Sequence, residues 1–182
     1  GITESCYPDP EFKTATIDVG FYLARYYLSV QDAEKDKNEW FPKAEDYSPK
    51  LGVEDWVELL NDSSVFTNSS LRIVKRLKDY GGAATCKQLS VKYGETPNFY
   101  NNGSQSLAKR IAEKTGCHVM IRDTENSRWW PILYVGKEAN KNTEGVYIWK
   151  LRDELSEAID KVDLKDIPLY VDNTPAIWKI SH

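Results

Sequence analysis

Apolar and polar positions alternate with two different periods along this chain, and the change of period marks where helices give way to strands. A broad apolar face made by Ile17, Phe21, Leu23, Ala24, Tyr27 and Leu28 predicts a helix over Thr16–Val30. A shorter helix is expected over Glu54–Leu60, where Trp56, Val57, Leu59 and Leu60 are apolar and Asn61-Asp62-Ser63-Ser64 stops the run. Between the two, Gln31–Asn38 is charged, and Pro42 and Pro49 bracket an irregular connector.

Three helices then follow in close succession. Asn68-Ser69-Ser70 caps the first, which carries Leu71, Val74 and Leu77 at helical spacing through Tyr80 and ends at Gly81-Gly82. Thr85 caps the second, which turns Leu89 inward, runs to Tyr93 and is closed by Gly94. Thr96 and Pro97 open the third, a capping residue followed by proline in the first turn. This helix contains Phe99, Tyr100, Leu107, Ile111 and Ala112 and stops at Gly116. Asn102-Gly103 interrupts its pattern, so a short turn followed by a main helix over Ser104–Lys114 is expected.

Strand signals come next, over Cys117–Arg122, Arg128–Val135 and Gly145–Leu151, joined by the Asp123–Ser127 turn and the Gly136–Glu144 loop. A last helix, Arg152–Val162, places Leu155, Ala158, Ile159 and Val162 on one face. Three tightly connected helices followed by a hairpin read as a winged helix-turn-helix. The expected fold is therefore α+β and mostly helical. An N-terminal helical segment over 1–62 packs on the core, the winged helix and C-terminal helix occupy 63–167, and 168–182 is a linker.

Composition narrows the setting. With 41% hydrophobic and 12% aromatic residues the chain can build a core and is not of disordered type. It has no apolar run of 18 residues and no signal-peptide pattern, so the expectation is a cytoplasmic protein with no membrane partner. The start at Gly1 and the unfinished alternation Trp178-Lys179-Ile180-Ser181-His182 read as a fragment of a longer protein. Cys6, Cys86 and Cys117 lack CxxC spacing and there are only two histidines, which argues for a reducing compartment and against a metal site. No cofactor is expected. The net charge of −4 hides a partition: from Leu71 to Arg152, 15 Lys/Arg stand against 7 Asp/Glu, and the rest of the chain carries 9 against 21.

The basic middle holds the candidate chemistry. The third helix presents Asn98, Tyr100, Asn101, Asn102, Ser104, Gln105, Ser106, Lys109 and Arg110, with no acid from Thr96 to Ile111. Such amides, hydroxyls and cations bond base edges and phosphates, and in a helix-turn-helix this element enters the major groove. The hairpin adds Arg122, Arg128, Lys137 and Lys141 near its turns for the minor groove or backbone, and Trp129 or Trp130 as a surface on which a base can stack. On a strand these two tryptophans would face opposite sides. There is no GxxxxGK[ST], GxGxxG or HExxH, and the carboxylates Asp123 and Glu125 sit in a turn, so catalysis is not expected of this fragment.

A family resemblance is carried by particular runs. Leu51-Gly52-Val53-Glu54-Asp55-Trp56 after Tyr26-Tyr27-Leu28-Ser29 resembles the N-terminal regions of McrB-type AAA+ restriction proteins. So do Gly82–Gly94, Asn98-Phe99-Tyr100-Asn101 before LAKRIAEKTG, and the RWWPILYVG strand, over roughly Phe21 to Tyr170. The resemblance implies a prokaryotic defence system in which an N-terminal module recognises modified, often methylated, double-stranded DNA. A separate AAA+ domain hydrolyses GTP and recruits a nuclease subunit, so those activities belong to the rest of the parent chain and its partner. Two alternatives stand beside it: an RNA-binding module of a defence ATPase, and a winged-helix protein-interaction or assembly domain.

Overall fold

The computed structural model describes residues 39–121 and 127–171. The chain divides into two compact units, Gly1–Glu39 and Trp40–His182, and every element below belongs to the second. The helix expected over Thr16–Val30, the Asp123–Glu125 carboxylates and Arg122 lie outside the described residues.

Helix α1, Val53–Leu60, turns Trp56, Leu59 and Leu60 inward at i, i+3 and i+4. Asp55 reaches back to accept the Gly52 N–H at 2.8 Å and so fixes the first turn. Helix α2, Asn68–Asp79, is capped one residue earlier than expected: Thr67 accepts the Ser70 N–H at 3.3 Å. Gly81 and Gly82, at φ of +114° and +90°, wrap its C-terminus, and the Gly82 N–H closes on the Leu77 carbonyl at 2.8 Å.

A strand that the sequence pattern does not announce follows at once: β1, Ala83–Thr85. Helix α3, Cys86–Tyr93, begins at Thr85, whose hydroxyl accepts the Gln88 N–H while the Gln88 amide accepts the Thr85 N–H, both at 3.0 Å. Helix α4, Pro97–Thr115, runs from the Thr96 cap to Gly116 without a break. The expected interruption at Asn102-Gly103 does not occur. Gly103 lies against α2, where a Cβ would come 2.5 Å from Ile73 Cδ1, so glycine here serves close helix packing instead of ending the helix.

The strand region is more broken than its alternation suggests. Strands β2, Met120–Ile121, and β3, Ser127–Arg128, form an antiparallel pair. A 3-10 turn over Trp130–Ile132 then replaces the expected continuous strand, because Pro131 has no N–H for a ladder. Strands β4, Tyr134–Glu138, and β5, Tyr147–Leu151, make the hairpin, and β1 pairs with the far edge of β5 in the order β1-β5-β4. Helix α5, Asp153–Lys161, packs on α1.

The result is an α+β unit of five described helices and small antiparallel sheets. Its core joins Ile73, Val74 and Leu77 of α2 to Leu107 and Ile111 of α4 and to Tyr134 and Leu151 of the sheet. The chain after α5 lies along α2 and α3. The Lys75 ammonium donates to the Leu164 and Ile167 carbonyls, Arg76 Nε donates to Leu169, and the Val171 N–H donates to Tyr93. No described helix is long and apolar enough to cross a membrane.

Candidate nucleic-acid interface

The cations of this unit fall into two sets. On α2, on α5 and at the C-terminal end of α4 they are engaged: Arg76 with Glu95 at 2.6 Å, Lys78 with Asp160 at 3.0 Å, Lys114 with Asp62 at 3.4 Å and Lys161 with Glu54 at 3.7 Å. On α3, α4 and the hairpin most lysines are not, the exceptions being Lys92 of α3, which pairs with Asp79 at 3.8 Å, and Lys114. Lys87, Lys109, Lys137, Lys141 and Lys150 make no ion pair or hydrogen bond among the described residues, and elsewhere Lys50 and Arg128 share that condition. Three of them rest on aromatic faces instead. Lys109 lies 5.6 Å from the Trp129 ring centre, while Lys137 and Lys150 lie 4.5 and 5.4 Å from that of Trp40. A cation held over an indole is positioned yet keeps its N–H donors for another partner.

Helix α4 sorts its residues by angle. Tyr100, Ser104, Leu107 and Ile111 form the inward stripe. Asn98, Asn102, Gln105, Ser106 and Lys109 are exposed, and Asn101 is half-buried. The carboxamides of Asn98, Asn101, Asn102 and Gln105 make no hydrogen bond among the described residues, so their donors and acceptors are open.

Three expected contact residues are withdrawn by the structure. The Tyr100 hydroxyl is fully buried, donates to the Gly94 carbonyl at 2.8 Å and accepts Arg76 Nη1 at 3.0 Å. The Ser104 hydroxyl, also buried, shares a 2.8 Å hydrogen bond with the Tyr134 phenol. Arg110 is spent on structure: Nε donates to the Val65 carbonyl and Nη2 to the Ser70 hydroxyl, each at 2.7 Å, tying α4 to α2. Their residue types suggested an exposed polar face, whereas their helical register puts them inside or at the seam.

On the hairpin side Arg128 is half-buried, with its guanidinium 5.1 Å from the Phe41 ring centre. Its Nε is buried and has no hydrogen-bond partner. Trp129 and Trp130 do not alternate on a strand. Trp129 is half-buried beneath Lys109, and Trp130 begins the 3-10 turn.

Between the N-terminal half of α4 and the hairpin opens a cleft of about 480 Å³. One wall is Asn98, Asn101 and Gln105 of α4 with Lys87 of α3; the other is Trp130, Tyr147 and Trp149, with Val146 at the rim. The aromatic wall is the outer end of a row that starts in the core. Tyr134 stacks on Trp149 at 4.8 Å and 18°, Trp149 on Trp130 at 6.5 Å and 30°, and Trp130 meets Tyr147 edge-on at 5.5 Å. Gly136 makes this possible, since a Cβ there would overlap the Tyr147 ring. Thr85 holds the two walls together. The hydroxyl that caps α3 also donates to the Glu144 carbonyl at the end of the hairpin loop.

Neither thiol nor phenol in the cleft ionises near neutrality. Burial pushes the Cys86 thiol up to about 11, and burial raises the Tyr147 phenol above its ordinary value against the opposing pull of Arg128. A second recess of about 530 Å³ lies between residues 44–51 and Thr115–His118. It contains no tryptophan, and its Tyr47 hydroxyl is engaged with the His118 carbonyl at 2.6 Å. Among the described residues no group of three or more His, Cys, Asp or Glu is placed to hold a metal ion.

Sequence reasoning missed Lys87, Lys150 and Trp40, and did not place Tyr147 in a cleft. Lys150 alternates with Trp149 on β5, which could have marked it as outward-facing; nothing local connects Trp40 to the hairpin. Comparison with protein-family models, with curated proteins and with solved structures finds no match.

Proposed function

We propose that this unit is a winged helix that binds double-stranded DNA, with α4 as its recognition helix and the β4–β5 hairpin as its wing. The element order α2-β1-α3-α4 followed by a hairpin, with β1 on the free edge of β5, supports that reading. One observation carries it: five unengaged lysines, Lys87, Lys109, Lys137, Lys141 and Lys150, and the open carboxamides of α4 lie on α3, α4 and the hairpin, where Lys92, Arg110 and Lys114 are engaged, while every cation of α2 and α5 is engaged. In this reading Asn98, Asn102, Gln105 and Ser106 face base edges, and Lys87, Lys109, Lys137, Lys141 and Lys150 face phosphates.

Within the proposal, the unit supplies DNA specificity to a McrB-like modification-dependent restriction protein, and any GTP hydrolysis or cleavage resides elsewhere in the parent assembly. A panel of duplexes, methylated and unmethylated, titrated at low and moderate salt tests both levels. The expected result is salt-sensitive duplex binding that is tighter for a methylated duplex. Salt-sensitive binding indifferent to methylation would remove the restriction assignment alone. No duplex binding at low salt would remove the whole reading.

A further inference from the structure

The cleft between α4 and the hairpin is not shaped for a base that remains in a duplex. A paired base is covered on both faces by its neighbours and offers only an edge, so it has no use for the faces of Trp130 and Tyr147. A base that has left the stack offers both. The cleft volume of about 480 Å³ is within the range of small-ligand sites. It is lined by aromatic rings on one side and open carboxamides on the other, and no carboxylate contributes to the lining. Val146, at the rim, is 84% exposed, an apolar residue with no partner until something apolar enters beside it.

We propose that this cleft holds one unpaired adenine of a DNA strand bound along α4, a proposal that rests on the DNA-binding reading above. The three carboxamides select among the bases. Asn98, Asn101 and Gln105 stand at i, i+3 and i+7 on one helix face, each an adjacent donor and acceptor pair with nothing bound. Adenine presents a matching pair on two edges, N6 with N1 and N6 with N7, so two carboxamides can grip it at once. Cytosine and thymine present such a pair on one edge only. The Hoogsteen edge of guanine offers two acceptors, which a guanidinium or ammonium matches better than an amide, and its N2–N3 donor–acceptor pair lies beside the sugar. The larger purine ring also covers more of the tryptophan face. Lys87, at the start of α3, is placed to neutralise the phosphate flanking the captured nucleotide.

Three duplexes of one sequence test this with the full chain by fluorescence anisotropy: fully paired, with one extrahelical adenine, and with one extrahelical cytosine. The extrahelical adenine is expected to bind about tenfold or more tighter than either of the others and to quench tryptophan emission. Asn101→Ala, which breaks no hydrogen bond of the fold, should cut that preference severalfold while leaving the melting temperature and the affinity for the paired duplex unchanged. Equal affinity for all three duplexes overturns the cleft assignment and leaves the DNA reading standing. Equal gain from adenine and cytosine overturns the choice of adenine. No binding to any of the three overturns the DNA reading, and this inference with it.

Discussion

Lys109 and Arg110 are adjacent in sequence, yet a helix turns by about 100° per residue and sends them to different surroundings. Lys109 projects over Trp129 with its donors free, while Arg110 bonds the Val65 carbonyl and the Ser70 hydroxyl. Substituting each by alanine should therefore separate binding from folding. Lys109→Ala is expected to weaken duplex binding several-fold with an unchanged melting temperature. Arg110→Ala strips two structural hydrogen bonds and should cost about 1–3 kcal/mol of stability in denaturant unfolding. If the two variants exchange these phenotypes, the assignment of the two side chains is wrong. Tyr100 and Ser104 teach the same lesson. The types Tyr, Ser and Arg are ambiguous, and only the spacing 100, 104, 107, 111 marks the inward stripe, a signal present in the sequence but outweighed there by polarity.

At the scale of elements, the helices of the basic middle are legible because their signals are local. Thr85 and Thr96 cap, Pro97 opens, and Gly81, Gly82, Gly94 and Gly116 take positive φ where each helix closes. Strand β1 was not legible, because Ala83-Ala84-Thr85 has little strand preference of its own and is defined by a partner at Ile148–Lys150, far along the chain. The length of α4 was misjudged for a related reason: the cause of Gly103 lies on another helix. The cleft is an inter-element property in the same sense. Gly145 is its most exacting position, with φ of +100° and space for a Cβ already taken by the Thr85 side chain. Gly145→Ala is expected to lower stability by about 1 kcal/mol or more and to loosen the hairpin from α3. A thermal melt reads the first effect, and increased reactivity of Cys86 toward an alkylating reagent reads the second. An unchanged melt with Cys86 still protected would contradict the role given to this glycine.

For the whole molecule, ionisation and charge make separate predictions. Burial raises Cys86 from 9.0 to about 11 and Tyr47 from 10.0 to about 12. Both groups are neutral in the fold and ionise more readily once unfolded. Their stabilising contribution is complete below about pH 9 and is lost as pH rises through 11 and 12. The denaturant midpoint is accordingly expected to fall progressively above about pH 9, and a midpoint constant to pH 11 would contradict the burial assigned to these groups. The charge partition was visible in the sequence as a total. What the total could not show was which cations are engaged, since that depends on Asp160, Asp62 and Glu54 arriving from other elements.

That distinction also supplies the most direct measurement. Duplex affinity as a function of salt should be compared between two triple variants, Lys87→Gln/Lys109→Gln/Lys137→Gln on the free set and Lys78→Gln/Lys114→Gln/Lys161→Gln on the engaged set. Each phosphate contact contributes about −0.9 to the slope of log affinity against log salt. The first variant should lower the magnitude of that slope by about 2–3 and weaken binding at low salt. The second, equal in charge change, should leave the slope where it was. Equal loss in both variants would mean that only net charge matters and that the free lysines of α3, α4 and the hairpin are not the DNA interface.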